Sequence, residues 1–111
     1  MTIFSNIINK EIPADIVYED DLCMAFHDVN PAAPIHVLLI PKKPLPKLSD
    51  ATEDDKALLG HLMVKVGEIA ELLGCKDAFR VVINNGANAQ QTVFHLHLHI
   101  LASREFNWPP G

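Results

Sequence analysis

The stretch from residue 95 to residue 100 constrains the fold most, because histidine alternates there with an aliphatic residue. It reads His-Leu-His-Leu-His-Ile. Side chains of a β-strand point alternately to opposite faces, so a strand here puts three imidazoles on one face and three aliphatic side chains on the other. The aliphatic face is expected to join a hydrophobic core. The chain is therefore predicted to contain a sheet that carries a row of histidines opposite that core.

The pattern of apolar residues predicts the other elements. It indicates a short amphipathic helix over residues 3–9 and a long helix from about Thr52 to Leu73. Short apolar runs bounded by turn residues predict five strands, at 16–19, 22–27, 36–40, 79–84 and 93–101. The polar segment 85–91 is expected to be a loop. The sum is an α+β domain with one long helix, one short helix and a five-stranded, mostly antiparallel sheet.

Length and charge limit the classes of function. The 111 residues, of which 49% are hydrophobic, suit a single domain over 1–111. Nine Lys and Arg against 14 Asp and Glu give a net charge of −5, so no nucleic-acid polymer is expected as a partner. The apolar runs are too short to cross a membrane. Two cysteines without a disulfide or CxxC pattern, and a start without a basic, apolar leader, predict a cytoplasmic protein.

The row of histidines admits three interpretations. A solvated strand face could use any polar residue, yet only histidine occurs here. Zinc binds imidazole, but His95 and His99 would be about 13 Å apart along a strand at about 3.3 Å per residue. At most two of the three would bind one ion, with a further ligand such as His36, so no metal site is predicted.

Covalent catalysis is the third interpretation. An imidazole can attack an electrophile while its neighbours move protons and fix its tautomer. Phosphorus is a suitable electrophile, because neighbouring imidazoles can stabilise phosphoryl oxygens. The polar, Gly-containing loop 84–92 leads directly into the histidine strand and offers backbone N–H groups for a phosphate.

The run at 95–101 resembles the motif of the histidine triad superfamily, and the rest of the chain resembles its Hint branch of nucleotide-binding phosphoramidases. The supporting stretches are 25–28, 34–43, 58–62 and the ending Trp-Pro-Pro-Gly at 108–111. They occur in order along nearly the whole chain, so the resemblance is specific. Two positions depart from the family pattern. Gln90 stands where the family usually has a glycine, and Ala102-Ser103 stands where it often has a Gly-Gly pair.

The resemblance implies a fold, a reaction and a partner. It implies a homodimer whose two five-stranded sheets join, with a purine nucleoside monophosphate bound by each protomer. The implied reaction is hydrolysis of a P–N bond, or of a mixed aminoacyl-adenylate anhydride, without a cofactor. Three other functions remain open: a nucleotide-binding regulatory module with incidental turnover, a dinucleoside polyphosphate hydrolase and a zinc-dependent hydrolase.

The resemblance also implies roles for individual residues. His97 would be the nucleophile, His95 and His36 a hydrogen-bonded relay behind it, and His99 a contact to the phosphate and leaving group. Asp28 would accept the ribose hydroxyls. The base would lie against apolar side chains, which are Phe4, Ile7, Ile12, Phe26 and Val29. Asn84 and Thr92 would contact the phosphate, and Gln91 would also belong to the nucleotide-binding residues. Trp108, in the tail, would reach the partner's site.

Several of these residues also have plain structural interpretations. Ile7 and Phe26 suit a hydrophobic core, and Asp28 precedes a turn. His27 and His61 have no partner in the sequence pattern and are expected to be structural.

Overall fold

A five-stranded antiparallel sheet flanked by two helices makes up the computed structural model, which describes all residues from 1 to 111. The helices are α1 (Ile3–Ile8) and α2 (Lys56–Leu72). The strands are β1 (Ile16–Glu19), β2 (Cys23–His27), β3 (Ile35–Pro41), β4 (Phe79–Val82) and β5 (Leu98–Ala102). Short 3-10 turns occupy Leu48–Asp50, Glu53–Asp55 and Ala87–Ala89. The predicted α+β class, with one long and one short helix, is confirmed.

The sheet buries both of its faces, and β3 lies at its centre. The strand order is β1-β2-β3-β5-β4, and every pairing is antiparallel. Val37 and Leu39 of β3 belong to the cluster under α2, whereas Leu38 and Ile40 belong to the cluster under α1. A strand buried on both faces must be apolar at consecutive positions, which explains the uninterrupted run in β3.

The last strand is shorter than predicted. β5 begins at Leu98 and not at residue 93, because the neighbouring strands offer few partners before that point. β4 ends at Val82, opposite His99, and β3 pairs with β5 only as far as Leu39, shortly before Pro41 ends the strand. Proline has no N–H to give to a sheet ladder. The alternation of side chains nevertheless continues through residue 96, since Leu96, Leu98 and Ile100 all join the cluster under α2.

The long helix differs from the prediction at its start and on one face. Thr52 and Asp55 form a capping box around a 3-10 turn, and the α-helix follows from Lys56. Met63 falls within the apolar pattern of the helix, yet its side chain is 59% exposed, as is the neighbouring Val64 at 67%. One face of α2 is therefore apolar and open. No helix of the protein is long and apolar enough to span a membrane.

Asp20 closes the β1–β2 hairpin and connects it to α2. Its Oδ1 accepts hydrogen bonds from the backbone N–H groups of Leu22 at 2.8 Å and Cys23 at 2.9 Å. Its Oδ2 accepts one from the Tyr18 hydroxyl at 2.8 Å and lies 2.7 Å from Nε2 of His61. Burial alone would raise the pKa of Asp20, but these hydrogen bonds outweigh burial and hold that pKa well below its usual range.

Replacing Asp20 with alanine is expected to lower the free energy of unfolding by about 2 kcal/mol, because two backbone donors and a hydroxyl lose their acceptor. Asp21→Ala is the matched control, since Asp21 lies exposed in the same turn. Urea unfolding of the wild type and both variants measures the difference. An equal, small loss in the two variants would contradict a structural role for the Asp20 carboxylate.

Candidate active site

A cavity of about 550 Å³ lies beside α1 and the end of β2. Nine of the fourteen residues predicted for the site line it: Phe4, Ile7, Ile12, Phe26, Asp28, Val29, Thr92, His97 and His99. The other five, which are His36, His95, Asn84, Gln91 and Trp108, do not line it. The cavity therefore brings together an apolar wall, the carboxylates of Asp15 and Asp28, and the imidazoles of His27, His97 and His99.

The apolar wall is built by α1 and β2. Phe4 and Ile7 are buried on α1, and Phe26 is buried on β2, where the rings of Phe4 and Phe26 meet edge to face at 5.6 Å between centroids. These residues belong to the core cluster under α1 and also line the cavity, so Ile7 and Phe26 are core residues, and their contact with a base stays a prediction. Val29 is 89% exposed at the mouth.

A backbone carbonyl fixes the ring of His97. Nδ1 of His97 lies 2.7 Å from the carbonyl oxygen of His95. A carbonyl only accepts, so Nδ1 carries the proton of the ring. In neutral imidazole the other nitrogen, Nε2, then has a free lone pair. The ring is held against Phe4, with centroids 5.1 Å apart, and it lines the cavity.

His36 and His99 form a hydrogen-bonded pair. Nε2 of His36 lies 2.9 Å from Nδ1 of His99, and Nδ1 of His36 accepts the backbone N–H of Ala32 at 2.9 Å. A carboxylate oxygen of Asp28 lies 3.4 Å from Nε2 of His36. Nε2 of His99 is buried and has no hydrogen-bond partner.

The predicted relay between His36 and His95 is wrong in its pairing. The ring of His95 is 1% exposed, and its Nε2 donates to the carbonyl oxygen of Pro41 at 2.7 Å. His36 lies on β3 in register with Leu101, beside the row of histidines at the end nearer to His99. The backbone register therefore pairs His36 with His99, while His95 contacts the ring of His97 through its own carbonyl.

Burial keeps most of these imidazoles neutral. It lowers the pKa of His36, against the opposing charge of Asp28, and it lowers the pKa of His95 as well. The pKa of His99 falls to about 4, through burial first and then through His97 and His36. Since unperturbed histidine titrates near 6.5, these three rings are uncharged at neutral pH.

Gln91 supports the loop before the histidine run and does not face the cavity. Its Oε1 accepts the backbone N–H of Gly86 at 2.8 Å, and its Nε2 donates to the carbonyl oxygens of Pro46 and Val93 at 2.9 and 3.0 Å. The side chain is 3% exposed and does not line the cavity, because its polar atoms already have backbone partners, so the structure does not place Gln91 among the residues that a nucleotide in the cavity would contact. Asn84 is half-buried beyond the end of β4.

Trp108 lies far from the cavity of its own chain. It is 82% exposed beside β4, where the guanidinium of Arg80 lies 6.0 Å from the centre of its ring. The side chain of Arg80 also donates to the carbonyl oxygen of Asn107 at 3.0 Å. The tail is thus held against the edge strand.

Both departures from the family pattern include a residue with left-handed backbone. Gln90 and Ser103 each have a φ of 70°. Side chains other than glycine adopt this region at a cost of roughly 1–2 kcal/mol, which is the physical reason for glycine at such positions. Gln90 therefore keeps the left-handed turn of the loop with a side chain longer than that of glycine.

Several lining residues were missed by the sequence analysis. His27 was interpreted as structural, yet it is half-buried at the end of β2 and lines the cavity. Leu38 and Val93 also line it. The alternation along β3 could have placed Leu38 on the same face as Ile40. Only the packing of α1 against that face shows that the cavity extends to Leu38. His61, in contrast, does not line the cavity, and its Nε2 lies 2.7 Å from Oδ2 of Asp20.

Two groups of side chains present the residue types that bind metal ions. Asp28, His36 and His99 form one group and Asp20, Cys23 and His61 the other, each with its ligand atoms within 4.8 Å of one another. In both groups internal hydrogen bonds use most of these atoms, as described above. A metal ion would have to displace these hydrogen bonds, so both groups are hydrogen-bonded networks in this structure.

Comparisons with known proteins identify the family of this chain. The family model of the HIT domain matches residues 9–106. An uncharacterized HIT-like protein from Synechocystis sp. is 72% identical over 110 residues, which are 99% of this chain and 96% of that protein. A HIT family hydrolase from Legionella pneumophila Philadelphia 1 superposes with a TM-score of 0.96 at 38% identity, covering 100% of both chains.

A histidine triad nucleotide-binding protein from Candida albicans superposes with a TM-score of 0.83 at 29% identity, covering 100% of this chain and 85% of that one. The family model spans most of the sequence, and the Synechocystis relative is similar over nearly all of it. The chain therefore belongs to the HIT family.

Proposed function

We propose that this protein is a Hint-type hydrolase that cleaves the P–N bond of purine nucleoside 5′-phosphoramidates through a nucleotidyl-histidine intermediate. The observation that carries the proposal is the tautomer of His97. Its Nδ1–H is held by the carbonyl of His95, which leaves the Nε2 lone pair free in a cavity that also contains His99. A positioned, neutral imidazole of this kind is a nucleophile.

The proposed reaction has two displacement steps. In the first, Nε2 of His97 attacks phosphorus, the P–N bond of the substrate breaks, and the leaving nitrogen departs as an amine after taking up one proton. In the second, water attacks the same phosphorus, the bond to Nε2 breaks, and a nucleoside monophosphate and one proton are released. Proton uptake and release cancel, so water is the only co-reactant and no cofactor is needed.

The rest of the cavity suits a purine nucleotide. The wall of Phe4, Ile7 and Phe26 offers apolar surface to the two faces of a flat base. The Asp28 carboxylate lines the same cavity, where it can accept two ribose hydroxyls. Thr92 and His99 are then left for the phosphate. The apolar wall itself offers no hydrogen-bonding group that would separate adenosine from guanosine, so both are proposed as substrates.

A homodimer is part of the proposal. Met63 and Val64 expose an apolar face on α2, and the Cβ positions of Gly60 and Gly67 on the same helix are open, which allows close approach of a second helix. β4 has an unpaired edge where a second sheet can continue the first. Trp108, held at β4, would then contribute to the partner's site.

The two cysteines favour a cytoplasmic location. Both thiols are free and buried, which suits a reducing cytoplasm.

The His97→Ala variant is expected to lower kcat/KM for adenosine 5′-phosphoramidate by roughly 10³-fold or more, because it removes the covalent route. Steady-state hydrolysis is measured with excess chelator, which keeps a zinc-dependent route out of the assay. His61→Ala, on the opposite face of the sheet, is the control and should retain activity. Wild type that binds AMP without turnover would favour the regulatory module, and loss of turnover in chelator would favour the zinc hydrolase.

Asp28→Ala is expected to remove discrimination between a ribose and a dideoxyribose. Wild type should bind AMP about tenfold more tightly than 2′,3′-dideoxy-AMP, because the carboxylate accepts hydrogen bonds from the two hydroxyls. The variant should bind both ligands equally. Calorimetric titration of the four combinations measures this coupling, and an unchanged preference in the variant would contradict the assignment of Asp28.

Sedimentation equilibrium is expected to give about twice the chain mass of 12.3 kDa. Val64→Glu should shift the mass toward the monomer, since the substitution places a charge on the open face of α2. Glu71→Gln, an exposed change on the same helix, is the control. A monomeric wild type would contradict the dimer proposal.

A further inference from the structure

We propose that the carboxylate of Asp15 accepts a hydrogen bond from a 2-amino group on the sugar edge of the purine, so that the site binds guanosine nucleotides more tightly than adenosine nucleotides. The inference deepens the proposed function and rests on it for the placement of base and ribose. Adenosine and guanosine both remain substrates, and Asp15 determines which of them is preferred.

Asp15 is the charged residue of the cavity that the proposed reaction does not use. Two carboxylates line the cavity, and that of Asp28 is assigned to the ribose hydroxyls. The side chain of Asp15 is exposed and forms no ion pair, unlike that of Glu19, which contacts both Lys10 and Lys42. An unpaired carboxylate in a cavity for an anionic ligand weakens the binding of every nucleotide. A hydrogen-bond donor on the ligand would offset this cost.

The backbone places Asp15 between the apolar wall and Asp28. The backbone N–H of His27 donates to the carbonyl oxygen of Asp15 at 3.0 Å, so Asp15 lies beside the residue that precedes Asp28. On the other side of Asp15 along the chain, Ile12 and Ala14 pack against the cluster under α1, and both line the cavity. Asp15 therefore lies where the surface proposed for the base meets the group proposed for the ribose.

The carboxylate of Asp28 is held in place, which limits where the ribose can lie. Its Oδ1 accepts the backbone N–H of Asn30 at 2.8 Å, and its Oδ2 lies 3.4 Å from Nε2 of His36. A ribose that donates its hydroxyls to this carboxylate has the base attached on the side of the apolar wall. The edge of the base nearest to the sugar then lies next to Asp15.

The sugar edge is where a carboxylate can distinguish the two purines. Adenine presents the N3 acceptor and a C–H group there, whereas guanine adds a 2-amino group, which is a donor. A carboxylate offers acceptor oxygens only, so it binds the amino group of guanine, while adenine presents it with a lone pair. The N1–H of guanine adjoins the amino group, and two parallel N–H groups suit the two oxygens of one carboxylate.

Two other polar residues line the cavity without an assigned role, and neither is as well placed as Asp15. The alternation along β2 puts His27 on the same face as Cys23 and Ala25, which belong to the cluster under α2. Asn30 is exposed, and its amide offers donors as well as acceptors, so it can bind either purine. Asp15 is the residue whose chemistry favours one of them.

The experiment measures the binding of four nucleoside monophosphates, which separate the amino group from the rest of the base. GMP and the monophosphate of 2,6-diaminopurine riboside carry a 2-amino group, and IMP and AMP are the respective partners without it. Calorimetric titration gives Kd for each ligand with wild type, Asp15→Ala and Glu11→Ala. Glu11 is the matched control, because it is exposed nearby in the chain, carries the same charge and does not line the cavity.

The 2-amino group is expected to lower Kd about tenfold in both pairs with wild type, since it adds a hydrogen bond to a charged acceptor. Both ratios should fall to about one in Asp15→Ala and stay at the wild-type value in Glu11→Ala. Removal of a negative charge strengthens the binding of all four anions alike, so this effect cancels in the ratios.

Equal Kd values within each pair for wild type would overturn the inference, and so would a preference for the amino group that persists in Asp15→Ala. Failure of the proposed function alone looks different: the expected ratios would be found in binding, but phosphoramidates would not be hydrolysed. Absence of binding by all four nucleotides would overturn both. Asp15 lies outside the helices and strands, and the wild-type ratios test the inference even if a variant does not fold.

Discussion

Burial of the aliphatic side chains at 96, 98 and 100 is the constraint on which the rest of the site depends. These three residues join the cluster under α2, so the chain can only direct the intervening histidines to the other face of the sheet. That face is covered by α1 over part of its area, which leaves a cavity beside it. The same alternation therefore builds the core and places the imidazoles.

Backbone groups, and not other side chains, set the protonation of the site. The carbonyls of Pro41 and His95 and the N–H of Ala32 cannot exchange the roles of donor and acceptor. Each imidazole that they contact is held in one tautomer, and the pair of His36 and His99 inherits its arrangement from Ala32. A site made in this way is organised before a ligand arrives, because its geometry is part of the fold.

Much of the fold was predictable from local patterns, whereas the site was predictable only in part. The alternation at 95–100 and the periodicity at 52–73 are local signals, and the structure contains the corresponding strand β5 and helix α2. The early end of β5 depends on where β3 and β4 stop, which is a property of the sheet as a whole. The partner of His36 depends on strand register across 63 positions of sequence, and no local pattern carries that information. Gln91 was assigned to nucleotide binding through the family resemblance, but its hydrogen bonds in this chain go to the carbonyls that surround it.

The separation of the two faces of the sheet has a further consequence for the molecule. α2 and the Asp20–His61 contact lie on one side, and the cavity lies on the other. The open apolar face of α2 can therefore change by mutation without altering the imidazoles, since the sheet stands between them. The C-terminal tail is the exception, because Arg80 holds it at the edge where both faces end. In the proposed dimer, any influence of one protomer on the site of the other would have to pass around that edge, through the tail.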